Sequence, residues 1–178
     1  MLELARLFIS IALFRKGPQD VPYSLFLLAL FFTINFSVEI FNHLVAETKA
    51  KDIEFLVFIR YMIISNIVFI LAVYSLFKFH GHQKRFVQCL TTMFGIDLLV
   101  VIVFTFLNLL AVLTGDKQVL PLVSLLVLFV VFIWYLFAYM HILRQGLSVS
   151  PLYAGMLSLA LFALGITLNG LLLPGKIS

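Results

Sequence analysis

Polar residues in this chain gather into short clusters, and long apolar runs separate them. Five runs stand out, at about 23–44, 54–77, 86–113, 119–142 and 151–173. Crossing the hydrocarbon core of a bilayer takes about 20 mostly apolar residues in a helix, so each run predicts one transmembrane helix. The third is long enough to require tilt. Stretches such as Leu125 to Ile133 are apolar on every side. The strands of a membrane barrel would alternate polar and apolar with a period of two, so helices in lipid are the reading. All the prolines fall near predicted ends: Pro18 and Pro22 before the first span, Pro121 and Pro151 in first turns, Pro174 after the last. Proline suits helix starts and stops because it lacks an N–H and has a fixed φ.

Ahead of the first span, residues 1–16 predict a shorter amphipathic helix. Glu3, Arg6 and Ser10 fall at i, i+3 and i+7 and make one polar stripe on an otherwise apolar cylinder. A secretory signal carries its charge before its apolar region, whereas Arg15 and Lys16 follow this one. Such a helix either lies in the membrane interface or docks its apolar face on the bundle, and the pattern leaves both open. The expected fold is all-α: a polytopic membrane bundle of five transmembrane helices with an N-terminal amphipathic helix, forming a single membrane domain over 1–178.

Composition narrows the class further. Of 178 residues, 63% are hydrophobic and 11% are charged, against about 45–50% and about 25% in soluble domains. A chain this small leaves much of its surface exposed, which excludes a soluble enzyme, a disordered regulator and a disulfide-stapled secreted domain. Cys89 is the single cysteine, so no intrachain disulfide is available. The net charge of +4 does not form one basic patch, and no nucleic-acid partner is expected. The basic residues instead mark topology. With the N-terminus in the cytoplasm, Arg6, Arg15, Lys16, Lys78, Lys84, Arg85 and Arg144 lie inside, and Lys49, Lys51, Lys117 and Lys176 outside. That bias of seven to four favours N-in, C-out under the positive-inside rule.

Ionisable groups within spans are the best functional pointers, because each costs about 2.5–3.5 kcal/mol at a helix centre on insertion scales. Glu39, Arg60 and Asp97 are the three, with Asn66 and Asn108 as further intramembrane polar candidates. Glu39 and Arg60 lie at similar distances from the outer ends of adjacent spans, which predicts an ion pair between them. It serves either as a structural clamp or as part of a polar site that Asn35 and Asn42 or His43 extend along one face. Asp97 lies near the bilayer middle with no second acid at its depth. Asn108, three helical turns on, shares its face, and Asn66 matches its depth. Either helix packing or a proton or ion path would use Asp97. In the fifth span, Gly155, Ser158, Gly165, Asn169 and Gly170 predict a packing face. Trp134, Tyr135 and Tyr139 read as core or interface anchors. His80, His82 and His141 do not make a metal motif. No Walker lysine loop, HExxH, GxSxG or paired-acid motif is present, so no catalytic residues, metal or cofactor are expected.

Five spans, a basic cytoplasmic N-terminus and an outward C-terminus resemble the Yip (Ypt-interacting protein) family of five-span membrane proteins, in its bacterial branch. The junction Arg15-Lys16-Gly17-Pro18-Gln19-Asp20-Val21-Pro22-Tyr23-Ser24 also resembles a segment of small proteobacterial inner-membrane proteins. Eukaryotic Yip proteins take part in vesicle traffic and GTPase recruitment. Their Asp-Leu-Tyr-Gly-Pro motif is absent here, so the resemblance implies the five-span plan without GTPase binding. The expected function is a non-enzymatic integral membrane protein that scaffolds or associates with other membrane proteins. Its expected partners are the lipid bilayer and either itself or other membrane proteins. The alternative is a small transporter or channel subunit using its intramembrane acids. A membrane enzyme ranks third and would need a pocket joining His80, His141 and an acid.

Overall fold

The computed structural model describes residues 2–47, 55–114 and 119–173. The lysines expected on the outer side, Lys49, Lys51, Lys117 and Lys176, lie outside the described residues. Six α-helices and no strand are present among the described residues: α1 (Leu2–Ala12), α2 (Leu25–Glu47), α3 (Phe55–Phe79), α4 (Phe86–Thr114), α5 (Val119–Leu147) and α6 (Pro151–Leu172). The last five are each long and apolar enough to cross a membrane, which fits an integral membrane protein. Their outer surfaces are apolar to match: Phe26, Leu56, Phe106 and Leu125 are all more than 60% exposed. Lipid tails solvate such faces as well as a protein core does.

Helix starts follow local chemistry. Ser24 caps α2, its Oγ accepting from the Leu27 N–H at 3.1 Å, which is why the helix begins at Leu25 rather than at the expected Tyr23. Ser150 caps α6, accepting from Tyr153 N–H, with Pro151 in the first turn where no N–H is missed. Helix ends obey a second rule. In α1, α3 and α5 the chain leaves through a residue at positive φ: Phe14 (59°), Gly81 (73°) and Ser148 (56°). In each, the next N–H reaches back to a carbonyl in the last turn: Arg15 to Ser10, His82 to Phe77 and Val149 to Arg144. These closures satisfy carbonyls that a low-water environment would leave without donors. The closure at Ser148 lets α5 run to Leu147, beyond the expected 142.

The three ends lie together with Arg15, Lys16, Lys78, Lys84, Arg85 and Arg144, and define a basic end of the bundle. Arg85 donates to Ser148 Oγ at 3.0 Å, Gln19 to Gln145 at 2.7 Å and Gln88 to the Val21 carbonyl at 2.7 Å. The fully buried side chains concentrate in this half: Val73 and Phe77 of α3, Leu90, Met93 and Ile96 of α4, Ile142 and Leu143 of α5. Two glycines allow this closeness. A Cβ on Gly146 would stand 2.5 Å from Cys89 Sγ, and one on Gly95 2.1 Å from the Phe8 ring. Along α4 burial is continuous from Cys89 to Ile96 and then gives way to half-exposed positions from Asp97 onward. The bundle is therefore tightest at its basic end and looser beyond its middle.

α1 docks on the bundle: Phe8 and Ile11 are buried, and Phe8 meets Phe31 edge-on at 4.7 Å. The last carbonyl of α1, at Ala12, accepts from the Trp134 indole N–H at 2.9 Å. Glu3 and Arg6 stay exposed. Ile9 and Leu13, each 54% exposed, give α1 an outward apolar surface as well.

Candidate functional site

Where α4 leaves its buried stretch, Asp97 faces the middle of the bundle. Tyr135 and Tyr139, one helical turn apart on α5, both donate to its Oδ1, at 2.8 and 2.7 Å. The i, i+4 spacing places the two hydroxyls on one face. Both hydrogen bonds fall on one carboxyl oxygen, which leaves Oδ2 without a protein donor. On α2, Asn35 is 7% exposed. Its Nδ2 donates to the Phe31 and Phe94 carbonyls at 2.9 and 2.8 Å. Those two acceptors fix the amide orientation, and Oδ1 has no partner. On α3, Asn66 spends its Nδ2 on the Met62 carbonyl.

Two adjoining cavities connect these groups. One, of about 180 Å³, is lined by Asn35, Glu39, Asn66, Asp97 and Tyr135 among phenylalanines and valines. The other, of about 190 Å³, shares Glu39, Asn66, Asp97 and Tyr135 and adds Tyr61, Ser65 and Tyr139. It continues into a groove of about 500 Å³ between α3, α5 and α6, which shares Tyr61, Phe69, Tyr135, Tyr139 and Gly165. Glu39, Asn66, Asp97 and Tyr135 lie well inside their helices, and the groove runs from there toward Asn169 and Gly170 near the end of α6, walled mostly by apolar side chains. Among the described residues, no lysine or arginine lines any of the three spaces. Two acids therefore share one intramembrane cavity with no cation from the described residues in its lining.

This corrects several expectations. The Glu39–Arg60 ion pair does not form: Arg60 is exposed, while Glu39 turns into the cavity. Asp97 is not the lone acid at its depth, because Glu39 shares its cavity. Asn108 does not extend the site; it is exposed on the outer surface of α4. Helix periodicity puts it near the Asp97 face, yet its side chain is exposed although α2 still meets α4 at Thr105, where Asn42 donates to the threonine hydroxyl. Asn66 does line the cavity.

In α6, Ser158 is buried and donates to the Leu136 carbonyl at 3.1 Å. A Cβ on Gly155 would sit 3.5 Å from Met140 Sδ, an ordinary contact. Gly165 and Gly170 touch nothing within 4 Å of a built Cβ and instead leave the groove open. Asn169 donates to Tyr61 OH at 3.3 Å, joining α6 to α3. Tyr135 and Tyr139, read from sequence as anchors, hold the central acid. Their i, i+4 spacing was the available signal, but spacing does not say which acid they face.

The histidines do other work. His141 Nε2 lies 3.0 Å from the Lys16 carbonyl and 3.0 Å from Gln145 Nε2, and His80 packs against Tyr153. Among the described residues no group of three His, Cys, Asp or Glu is placed to hold a metal. Cys89 is free and buried. The sequence matches no protein-family model, and neither a curated protein nor a solved structure matches it.

Proposed function

We propose that the chain is a small transporter or channel subunit of the bacterial inner membrane, with its basic end in the cytoplasm, whose intramembrane acids bind the species that moves. The observation that carries this reading is the cavity that Glu39 and Asp97 share. An acid at the centre of a span is costly unless it is neutralised. A packing role would call for one acid and one donor helix. Here two acids face one space that also leads into an apolar groove. Below them, toward the basic end, Phe77, Met93 and Leu143 fill the bundle completely. Above them packing loosens, so a polar species reaches the acids from the far side and meets a closed floor. The test is flux in proteoliposomes holding the full chain, under imposed proton and sodium gradients. Asp97→Asn and Glu39→Gln each abolish the flux under this reading. Flux unchanged in both variants, or none from the parent, overturns it.

A second reading is association with other membrane proteins, in keeping with the Yip-type five-span plan. It draws on Arg60 and Asn108, both exposed on the outer surface of spans, where a neighbouring helix would offset the cost of polar groups in lipid. Crosslinking from these two positions in native membranes traps a second copy or another protein if this reading holds. A purely monomeric result removes it.

A further inference from the structure

Among the described residues no cation lines the space around the two acids, and the other side chains there indicate what would neutralise them. Both asparagines at the cavity donate to main-chain carbonyls: Asn35 with both N–H groups, to Phe31 and Phe94, and Asn66 with one, to Met62. Each therefore turns a carbonyl oxygen away from those bonds. Asn35 Oδ1 is left unpartnered on a residue only 7% exposed, a position that native proteins rarely tolerate. The two tyrosines spend their O–H groups on Asp97 Oδ1, leaving Oδ2 free. In the cavity that Asn35 lines, the polar atoms that remain are acceptor oxygens from α2, α3 and α4 and one N–H of Asn66, while the adjoining cavity adds the hydroxyls of Ser65 and Tyr61.

We infer that Asn35 Oδ1, Glu39, Asn66 Oδ1 and Asp97 Oδ2 form the coordination site of a hard metal cation, an alkali or alkaline-earth ion, bound at the middle of the bundle. The inference rests on the transport reading and names its ligand class. Hard cations take carboxylate and amide oxygens, and soft transition metals prefer imidazole and thiolate ligands, which the described residues do not bring to the lining. A proton alone would need one carboxyl and would leave the oriented amide oxygens unexplained. The cavity of about 180 Å³ holds an ion with several waters, at about 30 Å³ per water. Helices that bring oxygen ligands to the bilayer midplane are a general way to hold a coupling ion.

The test is equilibrium binding to the purified full chain in detergent, at fixed pH and ionic strength. Trp134 is the only tryptophan and neighbours Tyr135 in sequence, so its fluorescence reports on the site without a label. Sodium, calcium and magnesium chlorides are titrated separately against choline chloride, with melting temperature as a second readout. The expected result is a saturable response to at least one metal cation and none to choline. Glu39→Gln and Asn66→Ala each weaken it by about tenfold or more. At alkaline pH, where Glu39 is ionised, Glu39→Gln also raises the melting temperature of the metal-free protein, because it removes an unneutralised charge. A merely structural Glu39 would lower it. A response to pH with none to any metal, or variants that bind like the parent, overturns the inference. Binding without flux keeps the cation site and removes the transport reading. Flux without metal binding does the reverse.

Discussion

Gly95 occupies the one place on α4 where α1 can seat an aromatic ring. A Cβ there would stand 2.1, 2.6 and 2.9 Å from three atoms of the Phe8 ring. That ring is buried and braced against Phe31, so it cannot swing aside freely. Gly95→Ala is therefore expected to destabilise the folded chain by about 1–3 kcal/mol, the usual cost of overpacking a filled core. In a Phe8→Ala background the same substitution costs little, since the obstructing ring is gone. Unfolding of the four proteins of this cycle in mixed detergent measures the coupling. Equal costs in both backgrounds would show that the ring relaxes without penalty. Gly165, by contrast, borders open space, and its replacement by alanine leaves stability near the parent value in the same assay. The sequence shows both as mid-helix glycines and does not distinguish them, because what matters is the atom opposite each one.

At the scale of helices, the limit of sequence reading has a clear physical origin. Span lengths are legible because bilayer thickness dictates them. Five helices long and apolar enough to span lie over the five apolar runs, with α2 running to Glu47, α3 to Phe79 and α5 to Leu147. Rotation about each axis is not legible, because lipid and core are equally apolar and no amphipathic stripe marks the inner face. Glu39 was thus readable as costly, but its neighbour was not. Depth counting paired it with Arg60, whereas the rotation of α2 turns it toward Asp97. α1 carries the opposite case, a visible stripe whose meaning only packing could decide. Its docking depends on an indole: three of its last four carbonyls are closed by its own chain, and Ala12 O relies on Trp134. Trp134→Phe keeps the ring packing and deletes that donor. It is expected to cost about 0.6 kcal/mol, the average for hydrogen bonds between membrane helices, and no more than about 1.7. Hydrogen exchange should speed up at the amides of residues 8–13 and not at those of α4. Uniform change, or none, would mean that the α1 contact does not hang on this bond.

Across the whole molecule, charge and packing share one axis. The end where α1, α3 and α5 terminate carries the basic clusters and the densest core, and the acids face the looser half. If the basic end lies in the cytoplasm, the closed floor faces inward and the cavity is approached from outside. The charge that sets this orientation is concentrated at few positions: Arg15 and Lys16 beside the first span, Lys84 and Arg85 before α4. Arg85 is also tied to Ser148, so changing it would mix topology with stability. Arg15 and Lys16 are exposed, and replacing both side chains by glutamine acts on orientation alone while leaving five basic residues inside against four outside. A reporter inserted at Gly81, in the exposed turn between α3 and α4, reads which side that turn occupies. In the parent chain it should read cytoplasmic throughout. In the double glutamine variant a second, inverted population should appear, because the positive-inside bias then nearly vanishes. An outward reading at Gly81 in the parent would invert the axis. The cavity above Asp97 and Glu39 would then load from the cytoplasm, and the direction of flux in the liposome assay would reverse with it.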